Sequence, residues 1–131
     1  MAFNVLVADD SMVARSVLLK TLRSTGLELA EVYQAADGRQ AVAVLAEHWI
    51  DLLFLDVNMP VMNGLEVVEH VRKHSLWADL PIVIVSTEGS ETRIERLLAM
   101  GVKFIHKPYT PEALRAVVLK ITGGVAHEIK P

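Results

Sequence analysis

Cysteine is absent from the 131 residues. No disulfide framework and no thiolate metal site can be built, which fits a reducing compartment. Basic residues do not predominate: 13 Lys and Arg stand against 16 Asp and Glu, a formal charge of −3. That excludes a surface made for polyanions, so neither direct nucleic-acid contact nor adsorption to an anionic membrane is expected. No apolar run approaches the roughly 18 residues that span a bilayer. The start, "MAFNVLVADD", lacks the charged opening and apolar segment of a secretory signal. A cytoplasmic location without membrane insertion is expected. Repeats and low-complexity segments are missing too. What is present is ordinary for one globular domain: 52% hydrophobic and 22% charged residues, in a chain long enough to bury a core.

Five short apolar runs are spaced along the chain: "NVLVA" (4–8), "LAEVYQA" (29–35), "DLLFL" (51–55), "PIVIV" (81–85) and "KFIH" (103–106). The first, third and fourth do not alternate, which predicts strands buried on both faces of a parallel sheet. The second is more mixed and suits a position nearer an edge. Between the runs the period turns helical. Ala14, Val17, Leu18, Thr21 and Leu22 share one face behind Ser11 as N-cap. Asp37 and Gln40 resemble a capping box ahead of Ala41, Val44 and Leu45. Leu65, Val68 and Val71 form a third stripe; Ile94, Leu97 and Leu98 form a fourth, ending near Gly101. Thr110-Pro111 opens a fifth helix ahead of Leu114, Val117, Val118 and Ile121. Alternating strands and helices predict an α/β, doubly wound sheet of five parallel strands with five helices. The domain is read as 1–122, with 123–131 a C-terminal tail or the start of a linker.

In such sheets, sites form beyond the carboxyl ends of the strands. The residues there are Asp9 and Asp10 after the first strand and Asp56 after the third. Ser86 and Thr87 follow the fourth, and Lys107 the fifth. Three converging carboxylates repel and call for a cation. An all-oxygen donor set suits a hard one such as Mg²⁺. A metal, a lysine and a hydroxyl around a carboxylate suit phosphoryl transfer, with the carboxylate as nucleophile. Asp56 stands alone on its strand and is the candidate nucleophile, while Asp9 and Asp10 are better placed as ligands. Each feature alone has a plainer reading: solvated acids, a helix cap, a Lys-Pro turn, a loop serine. The joint pattern at four strand ends carries the argument.

The stretches "VADDS" (7–11), "LDVNMPVMNG" (55–64), "IVIVST" (82–87) and "KPYTPE" (107–112) resemble the receiver domain of response regulators, most closely its single-domain, CheY-like chemotaxis type. The resemblance spans the first strand to the last helix. It implies the strand order 2-1-3-4-5 of that family. It implies that Asp56 accepts a phosphoryl group from a histidine kinase or histidine phosphotransfer protein, forming an acyl phosphate. Mg²⁺ (or Mn²⁺) would be held by Asp10, Asp56 and the backbone carbonyl of Asn58, with Asp9 acting through water. Lys107 would contact the phosphoryl group and precede a cis bond to Pro108. Ser86 would bind a phosphoryl oxygen, and Phe104 matches the aromatic switch position. Asn58, Thr87 and Glu88 would tune dephosphorylation. A downstream partner would be controlled through the face of the fourth helix, fifth strand and fifth helix, including Arg93, Arg96, Tyr109 and Arg115. The chain departs from the family's pattern twice. Thr87 stands where Ala or Gly is usual, and the segment from Gly101 to Lys107 is a residue shorter than is common.

Three other readings share parts of the pattern. An aspartyl-phosphate hydrolase of the haloacid-dehalogenase type needs a second Asp two residues on, where this chain has Asn58. A flavodoxin-like FMN carrier needs a phosphate loop after the first strand, where "DDS" would repel phosphate. A receiver within a longer transcriptional regulator shares the chemistry. Outside the site, His48, His70, His74 and His127 are expected on polar helix faces or in the tail. His106 is expected to be structural. Met59, Met62 and Met100 read as core filler, and Trp49 and Trp77 as packing residues near helix ends.

Overall fold

The computed structural model describes residues 2–121. The expected tail at 123–131, with His127, lies outside the described residues. The elements alternate throughout: β1 Phe3–Ala8, α1 Met12–Ser24, β2 Leu29–Ala35, α2 Gly38–Glu47, β3 Leu52–Leu55, α3 Gly64–Lys73, β4 Ile82–Ser86, α4 Glu91–Ala99, β5 Lys103–His106 and α5 Pro111–Ile121. The strands form one parallel sheet in the order β2-β1-β3-β4-β5. The reversal of direction from β1 places the mouth of the crevice over β1 and β3, the position expected for a site.

The central strands carry unbroken apolar runs because both of their faces are covered. Leu53 and Leu55 of β3 join Ile82 and Ile84 of β4 in a cluster with Val67, Val68, Val71 and Leu97 from α3 and α4. Leu52 and Phe54 point the other way, to Val83, Val85 and the α1 and α5 residues Leu18, Leu22, Leu114 and Val118. Each such fully buried side chain stabilises the fold by about 1.5–3 kcal/mol. β2 is an edge strand, partly exposed along most of its length, as its mixed composition suggested.

The helix stripes differ from expectation in three places, one of them α3, where Val67 is buried and Leu65 only partly so. In α1 the buried residues are Leu18, Leu19 and Leu22, whereas Val17 is 51% exposed. In α4 only Leu97 is buried and Leu98 faces outward. The caps are more nearly as read. Ser11 Oγ accepts the Ala14 amide, and Asp37 accepts the Gln40 amide. Gln40, however, reaches past the cap to the Ala36 amide, so the reciprocal box is not closed there. It closes instead on α3, where Asn63 and Glu66 exchange bonds of 2.9 and 3.0 Å. Met59 is buried, and Met62 and Met100 pack partly against the core. Trp49 is not a packing residue. It is 72% exposed, held by an indole bond to Asp51.

Candidate functional site

Three strand tips are locked together by backbone bonds that continue one residue past the regular ladders. The Asp9 amide donates to Ala35, the Asp56 amide to Ala8, and the Lys107 amide to Ser86, at 2.9–3.0 Å. The sheet thus fixes the backbone of Asp9, Asp56 and Lys107 before any side chain is considered.

The side chains converge. Oxygens of Asp9, Asp10 and Asp56 lie within 4.8 Å of one another, with Asp9 buried, Asp56 half-buried and Asp10 exposed. Lys107 Nζ reaches Asp9 Oδ2 at 2.9 Å and Asp56 Oδ2 at 3.5 Å. Asp9 Oδ1 accepts the Ser11 amide, and Asp56 Oδ1 accepts the Val57 amide at 2.7 Å. The Lys107–Pro108 bond is cis. One ammonium therefore pairs with two of the three clustered carboxylates. Burial pushes the Asp56 carboxyl above its ordinary range, against the pull of Lys107 and Ser86, and Asp9 adds to the rise. Burial works against the Lys107 ammonium, but the Asp9 hydrogen bond and the charges of Asp56 and Asp9 outweigh it and raise its pKa. The donor set is oxygen only and carries excess negative charge, which fits a hard divalent cation with retained waters.

The loop after Asp56 is clamped by two glycines. Gly64 donates to the Val57 carbonyl at 2.8 Å, and a Cβ on it would lie 2.2 Å from the Asp56 carbonyl oxygen. Gly38 donates to Met62, and its Cβ would lie 2.2 Å from that same carbonyl. Between them Val61 holds φ +68°, a strained conformation for a β-branched residue. Asn58, on this loop, is exposed.

On β4 the two hydroxyls separate cleanly. Ser86 is fully buried, helps hold the Asp56 carboxyl down, and accepts the Glu88 amide at 3.1 Å. Thr87 is exposed. Glu88 accepts the Ser90 amide and pairs with Arg93 at 3.0 Å; the Ser90 and Arg93 hydrogen bonds hold its carboxyl below the usual range. Phe104 is half-buried, pairs in register with Ile84, and lies 4.6 Å from the ring of His106. Of the basic residues expected on the output face, Arg96 pairs with Glu69 of α3 at 2.6 Å. Arg115 donates to the carbonyl of Thr25, the C-cap of α1.

One residue that reaches the site went unread in the sequence. Arg15 donates to the Asp9 carbonyl at 2.6 Å and to Gln34 at 2.9 Å, tying the acidic turn to β2. Its spacing from Asp9 matches no motif, so only the folded contact reveals it.

The profile of the "Response regulator receiver domain" family matches residues 5–119. The chain is 36% identical to the chemotaxis protein CheY homolog of Campylobacter jejuni over 94% of its own length and 95% of that protein's. It is 37% identical to the chemotaxis protein CheY1 of Helicobacter pylori, covering 90% and 95%. The structure of Vibrio cholerae CheY4 superposes with a TM-score of 0.80 at 36% identity, covering 92% of this chain and 99% of that one. The chain belongs to the response regulator receiver family, and within it is similar to the CheY type. It is a signalling module of two-component systems, not a metabolic enzyme. Among the described residues no helix is long and apolar enough to cross a membrane.

Proposed function

We propose that Asp56 is the phosphoacceptor of a chemotaxis-type phosphorelay. The observation that supports this best is the placement of Lys107 Nζ 3.5 Å from Asp56 and 2.9 Å from Asp9, an ammonium ready to receive phosphoryl oxygens beside a carboxylate. A phosphohistidine of a histidine kinase or phosphotransfer protein is the donor. Its phosphorus–nitrogen bond breaks as a phosphorus–oxygen bond to Asp56 forms, and the imidazole leaves to take a proton from solvent. Asp10, Asp56 and the Asn58 carbonyl would hold Mg²⁺, or Mn²⁺, with Asp9 acting through water. When bound, the ion neutralises phosphoryl oxygens and the excess charge of the acids. Lys107 exchanges part of its bond to Asp9 for the new oxygens. Ser86 releases Asp56 and donates to the phosphoryl group, which loosens its hold on the Glu88 amide. Phe104 and the surface of α4, β5 and α5 respond and alter affinity for a downstream protein. Asn58, Thr87 and Glu88 border the route of hydrolytic water and set the phosphoryl lifetime.

The test is incubation with acetyl phosphate and Mg²⁺. A base- and hydroxylamine-labile mass gain is expected in the wild type and not in Asp56→Asn. Persistence of the label in Asp56→Asn overturns the assignment.

A further inference from the structure

At the opposite end of β3 from Asp56 lies a cavity of about 530 Å³, within the usual range for small-ligand pockets. It opens between the α2–β3 and α3–β4 connections. Asp51, just before β3, lines it; Asp56 directly follows the strand, roughly 17 Å away at 3.3 Å per residue. The walls combine two kinds of group. Glu47, Asp51 and Asp79 supply acids, while Trp49, Leu76 and Trp77 supply apolar surface. No lysine or arginine is among the lining residues. Arg72 offsets part of the charge of Asp79 while its guanidinium bonds the Met100 and Leu80 carbonyls, both at 2.8 Å, which leaves Glu47 as a groove acid free of any lysine or arginine partner among the described residues.

The apolar groups are exposed yet held. Trp49 is 72% and Leu76 74% exposed. The Trp49 indole is fixed by its 2.9 Å bond to Asp51 Oδ1, whose other oxygen accepts the Asn4 amide. Trp77 is held by a stacked His74 ring at 4.0 Å. An exposed tryptophan anchored at its one polar atom is presented and not merely tolerated. Pre-oriented indole faces beside carboxylates are a receptor for cations, through ring quadrupole and charge together.

We propose that this groove docks a basic, apolar-anchored peptide segment of a partner protein. Arginine or lysine pairs with Glu47 and Asp79 over the indoles, and a leucine-sized side chain enters beside Leu76. Charge complementarity selects this occupant. A second copy of the chain carries net negative charge. The chain's own residues 122–131 hold one lysine and one glutamate, so that segment has no excess of positive charge to offer. The distance from Asp56 leaves the phosphoryl site accessible while the groove is filled.

Both tryptophans of the chain line this groove, so intrinsic fluorescence reads it directly. The full chain is titrated with three blocked peptides: alternating arginine and leucine, alternating glutamate and leucine, and residues 122–131. The arginine–leucine peptide should give a saturable change and bind at least about ten-fold more tightly than the glutamate–leucine one. Glu47→Gln with Asp79→Asn, both at exposed positions, should weaken it several-fold, and salt should weaken it further. Labelling of Asp56 by acetyl phosphate should proceed at an unchanged rate with the peptide bound. Equal binding of both charge types, or binding unaffected by the double variant, overturns the proposal. So does tighter binding of the 122–131 peptide, or self-association abolished by Trp49→Ala.

Discussion

Lys107 Nζ makes its shortest contact with Asp9, at 2.9 Å, and so bridges the tips of β5 and β1 across the strands between them. Replacing it by methionine leaves the acids unopposed in a partly buried site. Breaking such a pair costs less than a fully buried one because solvent still screens it, so a loss of roughly 1–2 kcal/mol is expected in EDTA. Mg²⁺ should recover more stability in Lys107→Met than in wild type. Thermal melts of both proteins with EDTA and with Mg²⁺ make the comparison. An unchanged melting temperature in EDTA would mean that the ammonium does not hold the cluster together.

Asp56→Asn should act in the opposite direction. It removes one of three carboxylates whose oxygens lie within 4.8 Å and keeps the size of the side chain. In EDTA the variant should melt higher than wild type by on the order of a few degrees. It should gain less from Mg²⁺, because a cation that binds only the folded form stabilises by mass action and its ligand set is now weaker. A variant that melts lower in EDTA would count against the repulsion.

Much of this site was legible because strand ends are legible. Continuous apolar runs mark β1, β3 and β4, and the residue after each run is fixed by the ladder that ends there. Ser86 directly follows the apolar run and is buried with it as the last residue of β4, whereas Thr87 lies past the strand and is exposed. Contacts set by packing between elements were not legible. Val17 and Leu19 are both apolar, and only the lie of α1 on the sheet decides that Leu19 is buried. Gln40 satisfies Ala36 and not the cap because the entry into α2 leaves that amide within reach. Trp49, near a helix end, reads as a packing residue, whereas in the fold it is exposed with its indole bonded to Asp51. Arg15 meets the Asp9 carbonyl across a helix turn without any motif to announce it.

Ser86 and Thr87 are predicted to separate by function as they do by burial. Ser86 is fully buried beside Asp56, so Ser86→Ala should uncouple Phe104 while leaving Asp56 able to accept phosphate. Thr87→Ala should preserve the coupling. NMR shifts around Phe104 on adding beryllofluoride report this in each variant. A response lost only in Thr87→Ala would reverse the assignment.

The Glu88 carboxylate gives a pH signature. Its folded-state pKa lies below the ordinary 4.5, through the Ser90 amide, then Arg93. A carboxyl with a depressed folded pKa contributes stability above its unfolded pKa and loses it as pH falls through the folded one. Wild type should therefore melt slightly above Glu88→Gln at neutral pH, by about a degree for a pair whose arginine is half-exposed. The difference should fade as pH drops below 4.5. A difference that stays constant from pH 7 to pH 3 would assign the effect to packing instead.

Gly64 carries the sharpest structural prediction. It opens α3 directly behind the loop that follows Asp56, where a Cβ would sit 2.2 Å from the Asp56 carbonyl oxygen and 2.8 Å from Val57 Cα. Both obstacles are backbone, so no side chain can swing aside to make room. The Gly64 amide also donates to the Val57 carbonyl at 2.8 Å, and moving the helix start to fit a methyl breaks that bond. Overpacking of this kind costs about 1–3 kcal/mol, and the lost hydrogen bond adds roughly 1 kcal/mol. The strain falls on the backbone of Asp56 itself, so function should fail before the fold does. Gly64→Ala should melt well below wild type and label slowly with acetyl phosphate even at temperatures where it remains folded. Gly89→Ala is the control, because nothing lies within 4 Å of a Cβ there, and its melting temperature should stay within about a degree of wild type. Equal stability and equal labelling of Gly64→Ala and wild type would mean that the loop behind Asp56 is looser than the contact between α3 and β3 requires.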